Sequence, residues 1–216
     1  VAGVTVNRYC ASGLETIAMA TAKIQSGMSN CIIAGGVESM SIIPMGGYKP
    51  IPDYKIVSQG KEDYYWGMGL TAEAVAKQYK VSREDQDEFS YYSHMKALKA
   101  QKEGKFDDQI VPIEISHTYV EENNKRATKK YTVTKDEGPR EGTNINALNK
   151  LRPVFSNKGT VTAGNSSQMS DGAAFTLIMS EAMVNELNLE PIARMVNYAV
   201  AGVEPRIMGI GPVKAV

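Results

Sequence analysis

Apolar residues along this chain change period several times, and each change marks a predicted element. Val4-Thr-Val6 is a short apolar run that reads as a strand. Leu14, Ile17, Ala18, Thr21, Ile24 and Met28 then recur every three or four residues, the period of an amphipathic helix that ends near Gly27. Cys31-Ile-Ile-Ala34 follows as a second apolar run. Strand, helix, strand in this order predicts a βαβ unit with two buried parallel strands. Cys10 then falls in the turn at the C-terminal end of the first strand, where open α/β sheets place their ligand sites.

From Met40 to about Asp63 no period survives among Gly, Pro, Tyr and Met, which predicts the start of an inserted lobe. Helical spacing returns over Thr71–Tyr79. Ser82 three residues before Asp85 resembles a capping box, opening a helix with a narrow stripe of Phe89, Ser93, Ala97 and Ala100 and a stop at Gly104. Ile110–Ile115 reads as a strand pushed to a sheet edge by Pro112. Residues 119–149 are polar and weakly patterned and are expected to be mobile surface. A strand is expected to begin at Thr160 and give way to a loop of small polar residues, followed by a buried strand over Ala173–Met179. A short helix over Glu181–Leu189, a strand over Arg194–Val200 and the first residues of a helix after Met208-Gly-Ile-Gly-Pro212 complete the pattern.

Composition narrows the class. In 216 residues, 43% are hydrophobic and 24 basic residues balance 24 acidic ones, which describes a chain able to fill a core and excludes a dominantly basic nucleic-acid binder. The basic cluster Lys125, Arg126, Lys129 and Lys130 reads as a solvated loop. No run of eighteen apolar residues is present, and no basic and apolar leader opens the chain. Two cysteines and two histidines, His94 and His117, give no metal-ligand spacing and no disulfide framework, so the expected setting is reducing and cytoplasmic, without a metal. Val1 in place of an initiating Met suggests an internal piece of a longer chain.

Cys10 carries the candidate chemistry. A thiol in the turn before a helix meets unpaired backbone N–H groups and the positive end of the helix dipole, a setting that favours a reactive thiolate and an oxyanion beside it. The alternative is a small buried hydrophobe, which is the assignment for Cys31. His94, in a charged helix, and His117, past an edge strand, read as surface histidines. The Gly164-Asn165-Ser166-Ser167 loop offers hydroxyl and backbone donors to a carbonyl or amide ligand, or is simply a turn. Met40, Met45, Met68 and Met208 sit in Gly/Pro-rich segments and line an adaptable apolar groove or fill core.

Taken in order, the motifs resemble those of thiolases along nearly the whole chain. Asn7-Arg8-Tyr-Cys10-Ala-Ser12-Gly13-Leu14 resembles the family's nucleophile motif, and Ala34-Gly-Gly-Val-Glu38-Ser-Met40-Ser41 the strand and turn after it. Gly67-Met68-Gly69-Leu-Thr71-Ala-Glu73 and Ser82-Arg83-Glu-Asp-Gln86-Asp87 are similar to its loop domain. Leu151-Arg152-Pro153-Val-Phe155, Thr162-Ala-Gly164-Asn165-Ser-Ser167 with Ser170-Asp171-Gly172-Ala173, and Met208-Gly-Ile-Gly211-Pro212 resemble later motifs.

The resemblance implies an α/β, αβαβα-layered thiolase-like fold, present in part, with an inserted α-rich loop domain. It divides the chain into 1–40 of the N-terminal thiolase domain, a loop domain over 41–158, a return over 159–190, and the start of a C-terminal domain over 191–216. It implies acyl transfer between Cys10 and CoA: thiolysis of a 3-ketoacyl-CoA, or the reverse condensation of acetyl-CoA, as in fatty-acid β-oxidation and related lipid metabolism. Cys10 would be the nucleophile, with its backbone N–H in an oxyanion hole. Ser167 would meet the pantetheine arm, and Phe155, Met68 and Met208 would line the apolar wall. CoA and acyl-CoA would be substrates with no separate cofactor, and the whole protein a homodimer or homotetramer.

Two departures qualify this. Gly67 stands where the acetoacetyl-specific branch commonly carries His, which leans toward longer 3-ketoacyl chains. The family's Gly-His-Pro, Asn-Glu-Ala-Phe and Cys-x-Gly motifs do not occur in these 216 residues. The expectation is therefore a segment that carries the nucleophile without its base and is inactive in thiolysis when isolated. The competing expectations are a non-catalytic CoA-binding or assembly module, and a condensing enzyme of the ketoacyl synthase kind, against which the 71–87 match argues.

Overall fold

A computed structural model describes residues 1–216, which divide into two compact units. The first comprises Val1–Glu62, Met169–Val203 and Ile210–Val216; the second comprises Asp63–Gln168 and Glu204–Gly209.

In the first unit, α1 (Ser12–Gln25) packs on a two-stranded sheet of β1 (Cys31–Glu38) and β4 (Gly172–Met179). Gly27, at φ +75°, takes the left-handed conformation that lets the chain leave α1 as predicted. The sheet itself differs from the expected one. Val4–Val6 forms no strand, and β1 pairs instead with β4, antiparallel, from Cys31 opposite Met179 to Glu38 opposite Gly172. An eight-residue ladder satisfies far more backbone groups than a three-residue run could. Nor are the strands buried on both faces. Ala34 and Thr176 face α1, whereas Ile33, Val37, Phe175 and Leu177 lie exposed on the other side. With one helix as its only covering layer, a two-stranded sheet buries one face. Arg194–Val200 forms no strand either; a side chain from it, Tyr198, is instead tied to α1.

Asp171 pins the end of this sheet. Its carboxylate accepts from the Ser41 backbone N–H at 2.8 Å and from the Ser41 hydroxyl. The hydroxyl first, then the N–H, hold the Asp171 carboxyl below the usual range. A depressed pKa means that this link contributes above the unfolded value and is lost as pH falls through the folded one. Ser41→Ala is therefore expected to flatten the acid side of a thermal-stability profile below about pH 4. An unchanged acid limb, measured by circular dichroism, would count against the link.

In the second unit the helices appear where expected: α3 (Met68–Tyr79) and α4 (Arg83–Lys102), after the five-residue α2 (Tyr54–Ser58) of the first unit. Ser82 and Asp85 form the complete capping box, and Gly104 follows at φ +68°. The buried position of α4 is not the predicted stripe, however. Phe89 is 78% exposed and Asp87 is 0% exposed.

The stretch 119–149 is also more ordered than predicted. β2 (Ile113–Val120) and β3 (Arg126–Val133) make an antiparallel hairpin, and α5 (Ile145–Asn149) packs on α4. Pro112 directly precedes β2, and the basic cluster lies at the hairpin tip and on β3 rather than in an unstructured loop. The hairpin is exposed on both faces, so no apolar alternation announces it. The segment from Thr160 is a loop, not a strand, held by side chains from two helices. In the first unit α6 (Glu181–Glu186) and α7 (Gly211–Ala215) complete the chain, and no helix is long and apolar enough to cross a membrane.

Candidate functional site

Cys10 is exposed in the turn that opens α1. Asn7 Oδ1 accepts the Tyr9 N–H at 2.9 Å, the Arg8 N–H donates to Ser12 Oγ at 2.8 Å, and the Ser12 hydroxyl donates back to the Tyr9 carbonyl at 2.7 Å. Backbone bonds from Ala11 to Arg8 and from Ser12 to Tyr9 close the turn. Tyr9 pays a conformational cost here: its φ of +48° is a left-handed setting that strains a bulky residue by roughly 1–3 kcal/mol. The strain sits immediately before the sulfur. No side chain caps α1, whose Ser12 N–H is taken by the Tyr9 carbonyl, so the Gly13 and Leu14 N–H groups near Cys10 have no capping acceptor.

A cluster braces this turn against α1. Arg8 Nη1 donates to Glu15 and to the Tyr198 hydroxyl, which itself donates to Glu15. The Tyr198 hydroxyl first, and Arg8 second, hold the Glu15 carboxyl below the usual range; the hydrogen bond to Glu15 raises both Arg8 and Tyr198. Behind the turn, Gly13 and Ile17 of α1 with Ala34, Gly36, Ala174 and Thr176 of the sheet line an apolar groove of about 320 Å³.

Cys31 is half-buried in β1 rather than fully buried. Because Cys10 is exposed at an uncapped helix start, iodoacetamide is expected to alkylate it at least about tenfold faster than Cys31. Equal rates by peptide mass spectrometry would remove the case for a reactive turn.

The second unit holds the other candidates. Met68 opens α3, and Phe155 lies against Gly69, so closely that any side chain at Gly69 would meet the ring. Both Met68 and Phe155 remain half-exposed. Met208 lies in the 3-10 turn Pro205–Ile210, anchored by buried Ile207. Ser167 is exposed, and its hydroxyl donates to the Gln168 carbonyl at 3.2 Å. The structure thus brings Met68 and Phe155 to one place and sets Ser167 at the end of the 160–167 loop. His94 lies half-buried on α4, and exposed His117 stacks on Tyr119 in the hairpin.

Residues that the sequence marks as members of motifs, without a bracing role, hold this loop. Glu73 accepts from the Thr160 and Val161 N–H groups at 2.9–3.0 Å. The Gln86 amide donates to Thr160 Oγ1, and Asn165 donates to buried Asp87 at 2.9 Å. Arg83 Nε donates to Asp87 at 2.7 Å while its Nη2 donates to the Leu148 and Leu151 carbonyls. The one local signal for them is the four-residue spacing of Arg83 and Asp87 on a helix.

These segments are the ones whose motifs resemble thiolases, and a family model confirms the match: thiolase, N-terminal domain, over residues 1–182. The chain belongs to the thiolase family. It is 50% identical, over all of its length, to a "3-ketoacyl-CoA thiolase" of Bacillus subtilis, and 43% identical over 98% of its length to a "Probable acetyl-CoA acyltransferase" of Staphylococcus aureus. It covers 55% of each of those proteins. Among solved structures, the dimeric peroxisomal thiolase of Saccharomyces cerevisiae superposes with a TM-score of 0.82 at 37% identity, covering 96% of this chain and 51% of that one. The acetyl-CoA acetyltransferase of Bacillus anthracis gives 0.78 at 41% identity, over 97% and 54%. The α/β thiolase-like fold is therefore shown, and the chain spans about half the length of the relatives it matches.

Proposed function

We propose that this chain is the nucleophile-bearing part of an acyl-CoA thiolase. The observation that carries the proposal is the exposed Cys10 in a strained turn at an uncapped helix start, in a chain of the thiolase family. Cys10 Sγ attacks the 3-keto carbon of a 3-ketoacyl-CoA. The C2–C3 bond breaks, its electron pair stays on C2, and C2 takes a proton as acetyl-CoA leaves. The shortened acyl group remains as a thioester on Cys10 until the thiol of a second CoA takes it and the cysteine is regenerated. The reverse sequence condenses acetyl-CoA.

An N–H at the start of α1, that of Cys10 among them, would hold the oxyanion. Ser167 would bond the pantetheine arm, and Phe155, Met68 and Met208 would line the acyl-bearing wall. Neither His94, half-buried on α4, nor His117, stacked on Tyr119 in the hairpin, is assigned as the base. Gly67 before Met68 favours longer 3-ketoacyl chains, as in β-oxidation. The domain division at 40, 158 and 190, a cytoplasmic setting and a homodimeric or homotetrameric whole protein belong to the same reading. The yeast relative, a dimeric thiolase, supports the last.

The test supplies 3-ketoacyl-CoA of graded length with CoA to the protein containing this chain and quantifies acetyl-CoA by chromatography. Release of acetyl-CoA is expected. Binding of CoA by calorimetry with no release would favour a non-catalytic CoA-binding module, and neither binding nor release would contradict both.

A further inference from the structure

Asn165 has no freedom left in its amide. Its Oδ1 accepts the Thr162 N–H at 2.7 Å, and its Nδ2 donates both hydrogens, to Asp87 Oδ1 at 2.9 Å and to the Thr160 carbonyl at 3.0 Å. Turning the amide over would set a donor against the Thr162 N–H and an acceptor against the Asp87 carboxylate. Thr162 is fully buried, and the loop folds around it: its hydroxyl oxygen accepts the Gly164 N–H at 3.2 Å and its carbonyl accepts the Ser166 hydroxyl at 2.7 Å. The sense of the Asn165 amide is thus set by the Thr162 N–H, the Thr160 carbonyl and the Asp87 carboxylate, and of the three only Asp87 lies outside the loop and ties it to α4. That carboxylate is in turn fixed by Arg83, whose Nη2 is anchored on the carbonyls of Leu148 and of Leu151, the latter four residues before Phe155.

We propose that Asp87, acting through Asn165, is a positioning residue that sets the 162–167 loop, and with it Ser167, in the conformation that receives the pantetheine arm of CoA. The proposal rests on the assignment of Ser167 made above. It adds a carboxylate that touches no substrate, carried by a rigid helix 78 residues away in sequence. A buried carboxylate that accepts from both Arg83 and Asn165 holds the loop's one amide orientation against α4.

The chemistry allows a donor–acceptor exchange as the test. Asn165→Asp sets two carboxylates against each other. Asp87→Asn forces an amide hydrogen toward either Arg83 or Asn165. The double variant restores the pairing in reverse, position 87 donating to position 165, while the Thr160 carbonyl loses its donor and meets a carboxylate oxygen and Arg83 keeps only a neutral acceptor, so the recovery is partial. All variants are compared with the parent chain at a temperature where each is folded, as checked by circular dichroism.

Hydrogen exchange read by mass spectrometry should rise about tenfold in the 160–167 peptide of Asn165→Asp while the α3 peptide stays within about twofold. Calorimetry with CoA itself as the probe should show affinity about tenfold weaker for the same variant, with recovery to within about threefold in the double variant. The Cys10 alkylation rate should stay within about twofold throughout.

Unchanged loop exchange in Asn165→Asp, or a double variant no better than the worse single one, would overturn the proposal. So would a loosened loop with unchanged CoA affinity, since the network would then be structural only. Failure of the parent chain to bind CoA would contradict the assignment of Ser167 instead, and with it the ligand half of the proposal, while the exchange series still decides what orients the loop.

Discussion

Arg83→Ala is expected to destabilise the second unit by about 3–5 kcal/mol, because it leaves the Asp87 carboxylate buried without its cationic partner. The Asp87 side chain is 1% exposed, so water cannot take the place of the guanidinium without opening the structure. The loss is compounded at two backbone acceptors, since the carbonyls of Leu148 and Leu151 lose the donor that ties them to α4. Arg83→Lys should recover only part of the difference, because a single ammonium cannot reproduce the fork that bonds Asp87 and both carbonyls at once. The surface pair of Lys99 and Glu103, 3.7 Å apart on the same helix, is the contrast: Lys99→Ala should change stability by no more than about 1 kcal/mol. Urea titrations followed by circular dichroism read both. Similar small shifts in the urea midpoint for Arg83→Ala and Lys99→Ala would mean that the buried pair does not hold this unit together.

That pair also marks the boundary of what the sequence makes legible. The helices announce themselves by local chemistry: the three- and four-residue spacing of α1, and the Ser82 and Asp85 capping box that opens α4. The turn that carries Cys10 is legible for the same reason, since a cysteine followed by Ser12 and Gly13 at a helix start is a local arrangement. Membership of the thiolase family follows from several such motifs standing in order.

The strands were harder. The hairpin of β2 and β3 is exposed on both faces, so Thr128, Lys129, Lys130 and Thr132 read as unpatterned surface although their cross-strand partners order them. Val4–Val6 looks like a strand by composition, but pairing depends on what lies beside it, and β4 supplies β1 with the longer partner. The network of Glu73, Arg83, Asp87 and Asn165 is invisible for a further reason. Apart from Arg83 and Asp87, four residues apart on α4, the bonds that tie its elements together join residues 65 to 88 positions apart, and no periodicity within one element encodes them. A charged residue at an inward position of α4 looks like one more solvated charge until the loop that covers it is known.

Under the proposed assignment, Cys10→Ala in the protein that contains this chain is expected to abolish acyl transfer, by at least about 10⁴-fold, because removing a nucleophile removes the covalent path and leaves only what binding and orientation contribute. The turn itself should survive. Cys10 is exposed, and the bonds that shape the turn come from Asn7, Arg8, Tyr9 and Ser12, so the substitution is expected to leave stability within about 0.5 kcal/mol of the parent. Lost transfer with an unchanged unfolding midpoint separates a chemical role from a structural one.

The most direct measurement is a peptide map after brief exposure to an acyl-CoA. Sγ of Cys10 attacks the thioester carbonyl, the carbon–sulfur bond to CoA breaks, and CoA leaves as its thiol with the proton that the cysteine gives up. The expected result is the acyl mass on the peptide carrying Cys10, absent from the peptide carrying Cys31, absent in Cys10→Ala, and removed when free CoA is added back. An acyl group spread equally over both cysteines, or none on Cys10 under conditions where CoA binds, would contradict the assignment of this turn as the acyl-carrying nucleophile.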